Sequence, residues 1–178
     1  MRKAGILFTR GPMENFESVA GIIFSPCKES VLLIFRRDVP VWVLPGGGIE
    51  KEESPESAIQ REILEETGFE VKVERLIGNY YPINRLAKKT CLFECSIQSG
   101  SALLSTDETK GLQFFPLNSL PPMPPPYQDW IFDGKKIGSP FQKKLTSVNY
   151  FKLIQYTITH PILVIRFLLS RLGLSINT

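Results

Sequence analysis

Residues 45–69 constrain this chain more than any other segment. Pro45 is followed by three consecutive glycines, Gly46, Gly47 and Gly48, and then by a helix whose start and stop are both signalled. Ser54 suits the N-cap, Pro55 suits the first helical position, and Gly68 follows where a left-handed residue ends a helix. On that helix Glu62, Glu65 and Glu66 are spaced i, i+3, i+4, so they project from one face within an arc of roughly 140° or less. Glu53 stands just before it.

Four carboxylates so close repel one another, raising a pKa or weakening the helix. An exposed acidic face is the ordinary fate of such a run. Here it is bracketed by a glycine turn, an arginine and a capping glycine, and a hard divalent cation would relieve the repulsion. Mg²⁺ or Mn²⁺ takes oxygen ligands from a few carboxylates and completes its shell with water and phosphate oxygens. Arg61, one residue from Glu62 and four from Glu65, can orient a carboxylate by paired hydrogen bonds. The glycines allow the backbone to approach a ligand and offer a carbonyl to a metal.

Around this helix the pattern is that of strands. Short apolar, β-branched runs at residues 4–8, 19–24, 31–35, 41–44, 69–77, 89–97 and 111–115 are separated by Gly, Pro or charge. The proline-rich stretch 121–126 predicts an extended connection. Trp130, Ile131 and Phe132 open a second helix that Gly134 makes short. Residues 144–172 are apolar with interspersed Lys and Arg. Strands with one strong central helix and a helical end predict an α+β sheet covered by helices, divided into a domain over 1–140 and a helical extension over 141–178, packed on the domain or on a partner subunit.

The 178 residues suit one compact domain with an appendage. A net charge of +3 favours polyanionic small substrates and lacks the dense basic stripe of a DNA-binding protein. Cys27, Cys91 and Cys95 form no disulfide framework, and Cys91 and Cys95, four strand residues apart, lie too far from each other to bridge. Reduced thiols predict a cytoplasmic protein. Arg2 and Lys3 precede an apolar run too short for a secretory signal.

With these residues in view, the segment resembles the Nudix box, G-x5-E-x7-R-E-U-x-E-E-x-G-U. Gly47, Glu53, Arg61, Glu62, Glu65, Glu66 and Gly68 occupy every fixed position, with Ile63 and Phe69 at the bulky apolar ones. The likeness extends upstream through residues 32–37 and 42–48. Downstream it reaches an acidic segment, Asp107 and Glu108, that runs into Phe114, Phe115, Pro116 and Leu117, with Phe114 where a Trp is usual. It covers roughly residues 4–132.

The resemblance implies an α/β/α sandwich on a mixed sheet, with the box as loop–helix–loop, and a metal-dependent hydrolase of nucleoside diphosphate derivatives. By position, Glu62, Glu65 and Glu66 are metal ligands, with the Gly47 carbonyl and Glu53 assisting. Arg61 orients Glu62, and Glu108 is the candidate base or further ligand. Arg36, Arg37, Tyr81 and Phe114 are the candidate substrate contacts, with Tyr80 and Trp130 as further candidates for base stacking.

The nucleotide itself is left open, because the tyrosines and proline at 80–82 match no subfamily spacing. Removal of pyrophosphate from 5′ RNA ends, with the basic residues Arg85, Lys88 and Lys89, and a non-catalytic nucleotide sensor are the competing readings. For residues 150–172 a spanning helix is disfavoured by Lys152, His160, Pro161, Arg166 and Arg171. Packing on the domain, pairing in a homodimer and a basic membrane-surface helix remain open.

Overall fold

The computed structural model describes residues 15–159 and, beyond them, Pro161, Ile162, Val164, Ile165 and Leu169. The strand expected at residues 4–8, and most of the chain after 159, lie outside the described residues. In order, the elements are β1 (Ser18–Ile23), β2 (Ser30–Arg36), β3 (Trp42–Val43), α1 (Pro55–Thr67), β4 (Phe69–Pro82), β5 (Thr90–Gly100), β6 (Thr109–Pro116), α2 (Tyr127–Gly134), β7 (Phe141–Leu145) and α3 (Tyr150–Thr159).

Two sheets carry the strands, one in the order β1-β5-β4-β7 and one in the order β3-β2-β6. The first is mixed. β1 runs parallel to β5, β4 antiparallel to β5, and β7 parallel to β4. The alternation of strand side chains separates two cores. Val19 and Ile23 of β1, Leu32 of β2, and Cys91, Phe93 and Cys95 of β5 pack against Ala58, Ile59 and Ile63 of α1. Their neighbours Ala20, Ile22, Val31, Leu33 and Leu92 point the other way, toward Trp130 and Ile131 of α2. Helices therefore cover the strands on both sides, as an α/β/α arrangement requires.

The helix signals act as read. The Ser54 hydroxyl accepts the Ser57 N–H at 3.1 Å, and Gly68, at φ 76°, donates its N–H to the Leu64 carbonyl at 2.8 Å. One expectation needs correction. The first residues of the segment expected to be helical, Phe141–Leu145, form β7 on the edge of the first sheet. Three polar residues, Gln142, Lys143 and Lys144, conceal a strand there, and lysines are common on edges because they discourage further pairing. Helix begins at Tyr150. All three cysteines are free thiols, Cys91 and Cys95 buried and Cys27 exposed.

Candidate active site

The glycine turn is fastened to β1 by its own backbone. Gly21 donates its N–H to the Pro45 carbonyl at 2.9 Å, Val19 to the Gly47 carbonyl at 2.9 Å, and Ile49 to the Glu17 carbonyl at 3.2 Å. Glycine is required here by space. A Cβ on Gly46 would run into the Val19 carbonyl, and one on Gly47 would occupy the volume of the Glu62 carboxylate. The sequence thus brings the turn and the acidic face of α1 into direct contact.

Arg61 is the hub of that face. Its guanidinium donates to both Glu53 oxygens at 3.0 and 2.9 Å, to Glu62 Oε1 at 2.9 Å, to Glu65 Oε2 at 3.5 Å and to the Gly48 carbonyl at 3.0 Å. Hydrogen bonds from Arg61 and from the Glu50 N–H hold Glu53 below the usual carboxylate range. Glu62 behaves oppositely. Burial raises it, Glu65 and Glu108 add to the rise, and Arg61 offsets only part of it.

Glu66 is the extreme case. It is 3% exposed and accepts one N–H, from Gly46 at 2.8 Å. Burial, reinforced by Glu62 and Glu108, pushes it up to about 8 against the opposing pull of Gly46 and Arg36. Glu62 and Glu66 are thus crowded, partly dry and under-neutralised, while Glu53 is fully paired.

Glu108 is brought to this group by a loop and a bulge. The β2–β6 pairing shifts register between Phe35 and Arg36, and bulges beside a site re-aim side chains. The Arg37 N–H then donates to the Glu108 carbonyl at 2.8 Å. The Arg37 side chain reaches the Thr106 carbonyl at 3.0 Å and the Ser105 hydroxyl at 2.6 Å. Arg37 therefore anchors the loop that carries Glu108 and is not among the residues lining the cleft beside the glycine turn.

A cleft of about 420 Å³ adjoins the carboxylates at the glycine turn. Gly46, Gly47 and Gly48 form one side, with Arg36, Lys88, Pro126, Tyr127 and Trp130 among the other walls. Arg36 is held by Asp38 through two hydrogen bonds at 2.8 and 2.7 Å. Tyr81 and Phe114 are not among the lining residues. The Tyr81 ring packs with Phe16 at 6.0 Å under Lys89, and Phe114 sits on β6 opposite Leu32. Tyr80 is core, its hydroxyl donating to Asp133 at 2.8 Å. Trp130, one of the stacking candidates, does reach the cleft, and its indole nitrogen is buried without a protein partner. Tyr127 and Pro126 carry no signal of a site in the sequence, and Lys88 stands out there only as part of a basic cluster. The cleft brings Lys88 to Pro126 and Tyr127, far from it in the chain.

The donors around the turn are all oxygens, which suits Mg²⁺ or Mn²⁺. Glu62, Glu65, Glu66 and Glu53 supply carboxylates. The Gly47 carbonyl, already accepting one N–H, retains a second lone pair. Among the described residues no three acidic, thiol or imidazole groups stand at metal-ligand spacing; Arg61 and the Gly46 N–H engage Glu62 and Glu66.

Comparison with known proteins agrees with this geometry. The chain is 41% identical over 93 residues to a putative 8-oxo-dGTP diphosphatase of Bacillus subtilis (strain 168), covering 52% of this chain and 62% of that one. It is 37% identical over 125 residues to an ADP-ribose pyrophosphatase of Methanocaldococcus jannaschii, covering 67% and 69%. A UDP-X diphosphatase superposes with a TM-score of 0.60 at 28% identity, covering 74% of this chain and 68% of that one. The match thus spans less than two thirds of the first of these relatives and slightly more of the others. Residues 15–134, with the turn, the acidic helix and the Glu108 loop inside them, match the NUDIX domain, and the chain belongs to the Nudix family.

Proposed function

We propose that this chain is a pyrophosphohydrolase that uses a divalent cation, Mg²⁺ or Mn²⁺, to cleave a phosphoanhydride bond in a small nucleoside diphosphate derivative by attack of water on phosphorus. The observation that carries this reading is the charge imbalance at the glycine turn. Glu53, Glu62 and Glu65 share the single guanidinium of Arg61, and buried Glu66 has the Gly46 N–H and nearby Arg36, with Glu108 close by, beside a cleft of ligand size. The relatives named above are named for nucleotide substrates that share a phosphoanhydride bond and differ in the rest of the molecule, which supports a box that engages the phosphates and a cleft that selects the remainder.

Glu62, Glu65 and Glu66 would hold the cation, assisted by Glu53 and the Gly47 carbonyl. When bound, it neutralises phosphate charge and lowers the pKa of water. Arg61 keeps Glu53 and Glu62 in register, and Arg36 offers a cation to the substrate from the cleft wall. Glu108 takes the proton of the attacking water. Phosphoryl transfer depends on positioning and charge stabilisation more than on covalent chemistry, so no covalent intermediate is expected.

The test is phosphate release across ADP-ribose, dinucleoside polyphosphates, nucleotide sugars, nucleoside triphosphates and 5′-triphosphate RNA, with Mg²⁺ or Mn²⁺, in wild type and Glu65→Gln. Preference for one small nucleotide, lost in the variant, supports the proposal. Turnover confined to RNA, with steep salt dependence, would transfer the activity to RNA ends. Glu108→Gln should lower kcat by at least about 10²-fold, and a near-normal kcat would remove Glu108 from the role of base.

A further inference from the structure

Charge is segregated along this chain in a way the catalytic site does not require. From residue 134 to residue 178 the sequence holds seven Lys and Arg and no Asp or Glu. The net +3 therefore divides into +7 here and −4 over residues 1–133. Two of the seven, Lys136 and Lys143, pair with Asp133, while Lys135, Lys144 and Lys152 are exposed.

The same segment exposes apolar side chains. Phe151 is 77% exposed, Ile154 59% and Ile158 74%. Their spacing of three and four aligns them on one face of α3. Ile162 and Ile165, 72% and 56% exposed, continue the spacing by four and three in the sequence. Upstream, Ile137 is fully exposed in the turn between α2 and β7. No helix among the described residues is long and apolar enough to cross a membrane.

We propose that this segment docks the protein on an anionic lipid surface. The apolar row of α3 would enter the headgroup boundary, and the lysines would face the lipid charge. Charge decides between occupants. A second copy on the same face would set one carboxylate-free basic segment against another, opposed by like charge at short range. An anionic bilayer satisfies both features, since amphipathic basic helices bind through buried apolar area and attraction to anionic headgroups together.

The experiment is co-sedimentation of the full chain with phosphatidylcholine vesicles, with and without phosphatidylserine, at low and moderate salt. Binding to the serine-lipid vesicles, weakened by salt, is expected. Ile154→Asp with Ile158→Asp should reduce it by more than roughly tenfold, because burying one isoleucine contributes about that factor. Lys144→Glu with Lys152→Glu should weaken it while leaving the row intact. All four positions are exposed, so unchanged circular dichroism should accompany both variants. No preference for anionic vesicles, or undiminished binding of the isoleucine variant, would overturn the proposal. So would a wild-type dimer that the isoleucine variant converts to monomer, since the row would then be buried between copies.

Discussion

Two charged clusters of this molecule are built from similar parts and balanced in opposite directions. At the glycine turn one guanidinium serves Glu53, Glu62 and Glu65, and Glu66 lies beside them with a single backbone donor. At the end of α2 one carboxylate, Asp133, receives Lys136 at 2.6 Å, Lys143 at 2.7 Å and the Tyr80 hydroxyl at 2.8 Å. Burial works to raise Asp133, but its three donors outweigh it and leave the carboxyl lowered. Glu94, between Lys28 at 2.8 Å and Arg75 at 2.7 Å, is lowered in the same way. A cluster that stabilises the fold surrounds each acid with donors. The cluster at the turn supplies Glu53 fully but leaves Glu62 and Glu66 short of donors, a deficit that a cation would fill.

Breaking the turn cluster should have the larger consequence for activity. Glu65→Gln is expected to lower kcat by roughly 10²–10³-fold, the effect of losing one preorganised electrostatic group, with little change in the unfolding temperature. Steady-state kinetics beside thermal unfolding checks this.

The pH dependence of stability should differ in sign between the clusters. Folded Glu66, pushed up to about 8 chiefly by burial, keeps its proton where the unfolded chain has released it. Between about pH 4.5 and 8 the metal-free protein should therefore lose stability as pH rises, by up to about 1.4 kcal/mol per unit for this one group. Glu66→Gln should flatten that slope in urea titrations. Asp133, lowered on folding, contributes stability that is present above its unfolded value near 3.8 and is lost as pH falls through its folded value.

Asp133→Ala should cost about 2 kcal/mol, the loss of hydrogen bonds to a charged group, and leave kcat of the folded fraction unchanged. Lys28→Ala, at a largely exposed partner of Glu94, should cost less than about 1 kcal/mol by the same urea measurement.

What sequence revealed follows the same division. The α1 signals are local, with Ser54, Pro55 and Gly68 each acting within a turn of its own position, so the helix and its acidic face could be read directly. Short strands with branched apolar residues, such as β1 and β2, were equally clear. β7 was not, because a five-residue edge strand with two lysines carries no alternation to detect. The cleft walls were hidden for another reason. Lys88 meets Tyr127 and Trp130 of α2 only through tertiary packing. Arg36 and Arg37, adjacent in sequence, part at the β2 bulge, one to the cleft and one to the Glu108 loop. The Asp133 hub joins α2, β4 and β7 across 53 and 10 residues, a separation no local pattern encodes.

The most direct test of the cation site at the turn is calorimetric titration of Mn²⁺ into wild type and into Glu62→Gln/Glu65→Gln. Saturable binding by wild type, lost in a variant that keeps its unfolding temperature, is the expected result. Absence of binding by wild type, or equal affinity in the variant, would contradict the assignment of these carboxylates to a metal.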